Sequence, residues 1–282
     1  MNAADYVDST AGVSMPRLIY GTAWKQERTA ALVETAIAQG FRGIDTACQP
    51  RHYHEPGVGE GLAKACAAAG LTRQDIYLQT KFTPRDGQDP QRTPYDPGAS
   101  LTEQVAQSFR ASLQNLRTDY VDGLILHSPL QDERDFMEVW RAMEHIVEMG
   151  GARQIGLSNC YQMDILRYLH DRAAIKPAIL QNRFYANTRY DRDLRGFCRE
   201  QGMIYQSFWT LTANPQVLSS VIVRDIAARY ALTPAQVLFR YLTQIGVVPL
   251  TGTQDPRHMQ DDLAIFRTEL AIGDIAALDA LF

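Results

Sequence analysis

Eight short apolar runs, each followed by a helical or loop segment, leave this chain few folds to adopt. They are Leu18-Ile19-Tyr20, Gly43-Ile44-Asp45, Ile76 to Lys81, Val121 to His127, Gln154 to Ser158, Ile179-Leu180-Gln181, Met203 to Ser207 and Gly246 to Leu250. The runs are apolar almost throughout, the pattern of strands buried on both faces. Between them, Ser100-Leu101-Thr102-Glu103 reads as a capping box opening a helix with Leu101, Val105, Phe109 and Leu113 on one face. Thr233-Pro234-Ala235-Gln236 reads as a second, and Gly150-Gly151 ends a helix running through Val139, Met143 and Val147. Repeated βα units imply right-handed crossovers and a parallel sheet. Eight of them favour an α/β fold closed into a (β/α)8 TIM barrel, and no G-x-G-x-x-G follows the first run to suggest an open dinucleotide-binding sheet. No composition break or Pro/Gly/Ser linker divides the chain, so residues 1–282 read as a single domain.

Polar side chains interrupt the apolar pattern where a barrel builds its chemistry, at the ends of its strands. Asp45 closes the second run, Lys81 the third and His127 the fourth, and Tyr53 follows Asp45 in the next segment. Singly, each has a structural explanation: an aspartate as a helix cap, a lysine in solvent, a histidine satisfied in the core. Together they suit proton transfer. A phenol with a pKa near ~10 is a poor acid at neutral pH, and a lysine ammonium beside it lowers that value. Asp45 is the natural partner for a buried Lys81, and His127 can hydrogen-bond a substrate oxygen. The set suits reduction of a carbonyl, with the hydride supplied by a cofactor because no side chain can supply one. Asp122 fits a strand-entry position on the opposite, structural face.

Other features narrow the class. Net charge is −4 with no basic run, which argues against a nucleic-acid partner. No apolar run is long enough for a bilayer and no signal-peptide pattern opens the chain, so a cytoplasmic protein is expected. Cys48, Cys66, Cys160 and Cys198 show no metal-site spacing, so no metal is expected.

Gly43-Ile44-Asp45-Thr46-Ala47, Tyr53, Glu55-Pro56-Gly57-Val58-Gly59, Gln79-Thr80-Lys81-Phe82, Leu126-His127-Ser128-Pro129, Gly156-Leu157-Ser158-Asn159-Cys160 and Leu180-Gln181-Asn182 together resemble the aldo-keto reductase superfamily. The resemblance runs in register from about Arg17 to Asp262. It implies a barrel that binds NADP(H) without a Rossmann domain and reduces aldehydes and ketones. By that likeness Asp45 pairs with Lys81, Tyr53 is the general acid and His127 orients the carbonyl. Ser158, Asn159 and Gln181 hold the nicotinamide carboxamide, with Gly21 and Thr22 lining that end of the site. Phe208 supplies the ring that stacks on the nicotinamide, and Trp24 and Trp209 face the substrate.

The chain departs from the family pattern in three ways that matter, one being Phe208 in place of the family's usual stacking tyrosine, with the loss only of a hydroxyl. Tyr53 lies further beyond Asp45 than the family's tyrosine does, and His52 takes the usual place; Tyr53 is the expected acid and His52 the alternative. Leu250 stands where the family has a lysine for the 2′-phosphate, and His258 roughly where it has an arginine. Thr251, Thr253 and Arg257 are the expected replacements, so NADPH is the expected cofactor, with NADH use allowed. The expected substrate is a small-molecule carbonyl, aromatic or of medium chain length, in a pocket walled by Trp24, the 83–99 loop with Tyr95, the 128–133 loop and residues 208–213. Arg85 and Asp86 are its expected polar contacts. A monomer is expected. Two rivals stand beside this reading: a hydride-independent isomerase or dehydratase on the same barrel, and a nucleotide-binding regulatory barrel without turnover.

Overall fold

The computed structural model of the chain describes residues 5–282. An antiparallel hairpin, β1 (Tyr6–Asp8) and β2 (Ser14–Pro16), precedes eight parallel strands: β3 (Ile19–Gly21), β4 (Gly43–Asp45), β5 (Tyr77–Phe82), β6 (Gly123–Leu126), β7 (Ile155–Ser158), β8 (Ile179–Arg183), β9 (Ile204–Phe208) and β10 (Val248–Thr251). The eight close into a barrel in chain order, β10 pairing with β3 through Leu250 opposite Ile19 and Thr251 opposite Tyr20. Each barrel strand coincides with one of the apolar runs.

Helices α1 (Thr29–Gln39), α2 (Glu55–Ala69), α3 (Leu101–Leu116), α4 (Glu133–Glu148), α5 (Met163–Arg172), α6 (Arg192–Glu200), α7 (Pro215–Leu218), α8 (Val221–Tyr230), α9 (Pro234–Gln244), α10 (Pro256–Ala264) and α11 (Ile272–Asp279) surround the barrel. The apolar core lies mainly between sheet and helices, where Trp140, Phe239, Leu124 and Leu157 are buried. At α9 both halves of the Thr233–Gln236 capping box form, at 3.2 and 2.9 Å. At α3 only one half does: Ser100 accepts from the Glu103 N–H, while the Glu103 carboxylate turns to Arg110 and Gln107. Gly150, at φ 78°, ends α4 in the left-handed conformation that glycine adopts without penalty. At Gly59 a Cβ would collide with the Asn115 carbonyl, so α2 packs on α3 as closely as it does only because glycine stands there.

The hairpin was not foreseen from the sequence. Its strands are too short to show a period, and only Gly12 (φ 72°) marks the turn. It crosses the N-terminal end of the barrel, where Met15 is fully buried with Ile19, Tyr77, Ile125, Ile179 and Val248. Asp122 behaves as expected of a structural residue: its carboxylate accepts from Arg73 and the Leu78 N–H and pairs with Arg153 at 3.2 Å. Among the described residues no helix is long and apolar enough to cross a membrane.

Candidate active site

Asp45 ends β4, and its strand partner in register is Gln79 on β5. Gln79 and Lys81, two residues apart, point to the same face, and there both meet the aspartate. The Asp45 Oδ1 accepts from Lys81 Nζ at 2.5 Å, from Gln79 Nε2 at 2.7 Å and from Gln181 Nε2 at 3.0 Å. Lys81 donates a second bond to the Thr46 carbonyl at 2.8 Å. Both side chains of the pair are almost completely buried. Burial pulls the Lys81 ammonium below the usual lysine range, and the Asp45 carboxylate opposes that loss.

Below the pair lies a layer of amides. Gln79 and Gln206 exchange two hydrogen bonds of 2.9 Å, and Gln181 donates to Gln206 at 2.8 Å. Tyr77 donates to Gln79 at 2.9 Å, and Gln206 rests on the Met15 sulfur. Both amide protons of Gln181 are thereby used, so its carbonyl oxygen is what it offers upward, an acceptor suited to an amide NH2.

Tyr53 lies over this floor. The Lys81 ammonium is 5.2 Å from its ring centroid, and the His127 ring meets it edge-on at 5.9 Å. The sequence led to the expectation that Lys81 would make the phenol more acidic; burial and the Asp45 charge outweigh any such effect. The ammonium is turned toward Asp45, and burial together with the Asp45 charge pushes the phenol above its ordinary value. The proton therefore stays on Tyr53 at neutral pH.

His127 is held neutral, its pKa pushed down to about 3 by burial and then by Lys81 and His52. Its Nδ1 lies 2.7 Å from the Thr83 hydroxyl. Thr83 is buried, and its backbone carbonyl accepts from Tyr95 and Gln88. Its hydroxyl proton has no other acceptor among the described residues, so donation to Nδ1 satisfies the pair. The remaining imidazole proton then sits on Nε2. Glu55, two residues after Tyr53, anchors the loop from behind by accepting from Thr80 at 2.5 Å, Ser112 at 2.9 Å and Asn115 at 3.2 Å. Its role was not read from the sequence, although it sits in the Glu55–Gly59 motif.

These groups open into one groove of about 870 Å³ across the C-terminal ends of the strands. Asp45, Tyr53 and His127 line it, as do Gly21, Ser158, Asn159, Gln181, Phe208, Thr251 and Thr253 among the expected cofactor residues. Trp24 and Trp209, expected to face substrate, line it too and are largely exposed, at 56% and 45%. Lys81 lies beneath its floor. His52 also lines the groove but stacks on Trp24, with ring centroids 4.0 Å apart.

Several expected residues lie elsewhere or are engaged by other partners. Thr22 is fully buried and donates to the Asp45 carbonyl, so it ties β3 to β4. Arg257 is exposed outside the groove at the start of α10. Thr251 gives its proton to Asp262 at 2.7 Å, and Thr253 accepts from the Asp255 N–H. Tyr95 is buried within the 83–99 loop, and Arg85 and Asp86 do not reach the groove, because that loop folds down onto Cys48 and Gln49: Gln88 donates to the Cys48 carbonyl and Gln49 to the Gly87 carbonyl. Arg183, Lys25 and Gln49 line the groove unforeseen; Asp262 lines it too, and by likeness to the family corresponds with Asp261 to the region that contacts adenine. Asp262 is buried, which pushes its carboxyl up to about 7. Among the described residues no cluster of His, Cys, Asp or Glu is arranged to hold a metal ion.

Residues 17–282 match the model of the Aldo/keto reductase family. The chain is 30% identical over 272 residues to an uncharacterized oxidoreductase, YtbE, of Bacillus subtilis, covering 96% of this chain and 90% of that one. It is 29% identical to the glyoxal reductase of the same organism, covering 98% and 92%. Among solved structures, the aldo/keto reductase from Brucella melitensis is similar with a TM-score of 0.83 at 28% identity, covering 98% of this chain and 99% of that one.

Proposed function

This chain belongs to the aldo/keto reductase family and is an NAD(P)H-dependent oxidoreductase acting on a carbonyl, and we propose that Tyr53 is the residue that protonates the carbonyl oxygen. The observation that carries this reading is the buried Lys81–Asp45 pair under Tyr53, with the His127 ring at the phenol's edge, where Asp45, Tyr53 and His127 line one groove and Lys81 lies beneath it. The nucleotide, when bound, supplies hydride to the carbonyl carbon. The groove's donor set fits such a group: Gln181 offers an acceptor beside Ser158 and Asn159 for a carboxamide, and Phe208 offers a flat face for the ring.

The Nε2–H of His127 holds the carbonyl oxygen and shares its growing charge. Tyr53 gives its proton to that oxygen as the alkoxide forms, and the Lys81 ammonium steadies the phenolate left behind. Asp45 keeps Lys81 charged in a dry site. The buried amides hold Asp45 in place. Trp24, Trp209 and His52 line the groove beside the site.

Between the two nucleotides, the geometry gives NADPH less help than the sequence suggested. The likeness to the family sets the 2′-phosphate near β10, where Leu250, Asp261 and Asp262 line the groove, Thr251 is engaged and Arg257 lies outside. Lys25 and His258 are the residues there able to carry positive charge. We therefore read use of both nucleotides, with dissociation constants within about tenfold of each other, or ~1.4 kcal/mol. The charge of Asp262, and its repulsion of a phosphate, grows as the pH rises through about 7.

Calorimetric titration with NADPH and NADH, followed by nucleotide oxidation in the presence of glyoxal or benzaldehyde, tests the proposal. Binding of both nucleotides with turnover is expected. Tight binding with no carbonyl reduced would favour the non-turnover barrel, and a NADPH preference above about a hundredfold would overturn the dual-nucleotide reading.

A further inference from the structure

Arg183 ends β8 with its Cα opposite Phe208, and its side chain lines the groove. Its guanidinium carbon lies 4.2 Å from the Trp209 ring centroid and 5.3 Å from that of Tyr185. No guanidinium nitrogen donates a hydrogen bond within the described residues, the Nε is buried without a partner, and the ion pairs of those residues leave Arg183 out. Aromatic faces fix the plane of a guanidinium but leave its N–H donors unsatisfied. Elsewhere in the chain arginines near acids are used: Arg73 and Arg153 on Asp122, Arg229 on Asp274. Arg183 is aimed and unfilled.

The planar fork of an arginine matches a carboxylate or phosphate oxygen pair. Its backbone ties it to the carbonyl end of the groove: the Arg183 N–H donates to the Tyr161 hydroxyl, Tyr161 donates to Asn159 at 3.3 Å, and Asn159 donates to the His127 carbonyl at 2.8 Å. The other lysine or arginine lining the groove, Lys25, is bound to the Gly252 carbonyl beyond β10. We infer that Arg183 binds an anionic oxygen group and that the carbonyl substrate of this chain carries a carboxylate. This assignment rests on the reductase reading above and sharpens it from any small carbonyl to an oxo acid. The nucleotide's own phosphates carry the same chemistry and are the competing source.

The test compares 4-carboxybenzaldehyde with its methyl ester in the wild type, Arg183→Gln and Arg183→Lys, with nucleotide affinity measured calorimetrically because Trp209 fluorescence reports on Arg183 directly. The wild type should favour the acid over the ester by about tenfold to a hundredfold in kcat/KM. Arg183→Gln should erase that preference through the KM for the acid, and Arg183→Lys should fall between. Equal turnover of acid and ester by the wild type overturns the proposal. So does an Arg183→Gln variant that weakens the nucleotide while keeping the acid-to-ester ratio, which would give Arg183 to the cofactor phosphates. Calorimetric binding of 4-(hydroxymethyl)benzoate and its methyl ester to the nucleotide complex reads the same contrast without turnover. If neither aldehyde is reduced but the acid still binds through Arg183, the reductase reading fails and the anion site stands.

Discussion

The division of labour in the groove depends on where single protons sit. His127 is neutral at any working pH, so it has one proton to offer, and its tautomer decides whether that proton faces the substrate. Thr83 makes the decision through its hydroxyl. Thr83→Val keeps the shape and removes the donor, so it should lower kcat by about tenfold or more while leaving nucleotide affinity unchanged. Thr83→Ser should restore it, and ring-nitrogen NMR of His127 should show the Nε2–H form in the wild type and a mixture in Thr83→Val. An Nδ1–H wild type would contradict the assignment. The same ring carries a stability signature. Its folded pKa is depressed, so below the unfolded value near ~6.5 the unfolded chain binds the extra proton and the fold loses stability as pH falls toward about 3. Relative to His127→Gln, the wild type should lose ~2 kcal/mol between pH 7 and pH 5 in chemical denaturation. No relative loss would mean that the ring titrates freely.

At the scale of elements, β5, β8 and β9 each send a glutamine inward, and these amides support the charged pair. A buried polar layer is stabilising only when every member is satisfied. Gln206→Leu strands donors on both Gln79 and Gln181 and should destabilise the protein by ~1–3 kcal/mol for each group left unpaired. It should also loosen Asp45 and lower kcat. A fully stable and active variant would show that the layer is dispensable. Sequence reasoning named Asp45, Lys81 and Gln181 but passed over Gln79 and Gln206. One polar residue inside an apolar run gives no sign of the strand it will meet, because that depends on barrel register. Thr22 and Arg257 were misplaced for a related reason: strand-end position alone does not say whether a side chain turns into the groove or into the wall. The 83–99 loop folds inward by hydrogen bonds that no local pattern announces, and this keeps Arg85 and Asp86 from the pocket.

On the scale of the whole molecule, the fold was legible because eight buried parallel strands must read as eight apolar runs, and their number left closure as the simple solution. The hairpin floor was not, since six strand residues with one proline carry too little pattern. The groove's chemistry was legible at its center and poorly so at its rim, where loops set the geometry. The roles of Arg183 and Thr83 came only with the structure. All of these features serve one claim, that the groove is built to hand the Tyr53 proton to a reduced carbonyl. Single-turnover oxidation of bound nucleotide by 4-carboxybenzaldehyde, in the wild type, Tyr53→Phe and His52→Ala, tests it most directly. Tyr53→Phe should slow the chemical step by about 10²–10⁴-fold with nucleotide affinity intact, and His52→Ala should leave the step near the wild-type rate. The reverse pattern, a silent Tyr53→Phe and a crippled His52→Ala, would move the proton to His52 and contradict the account.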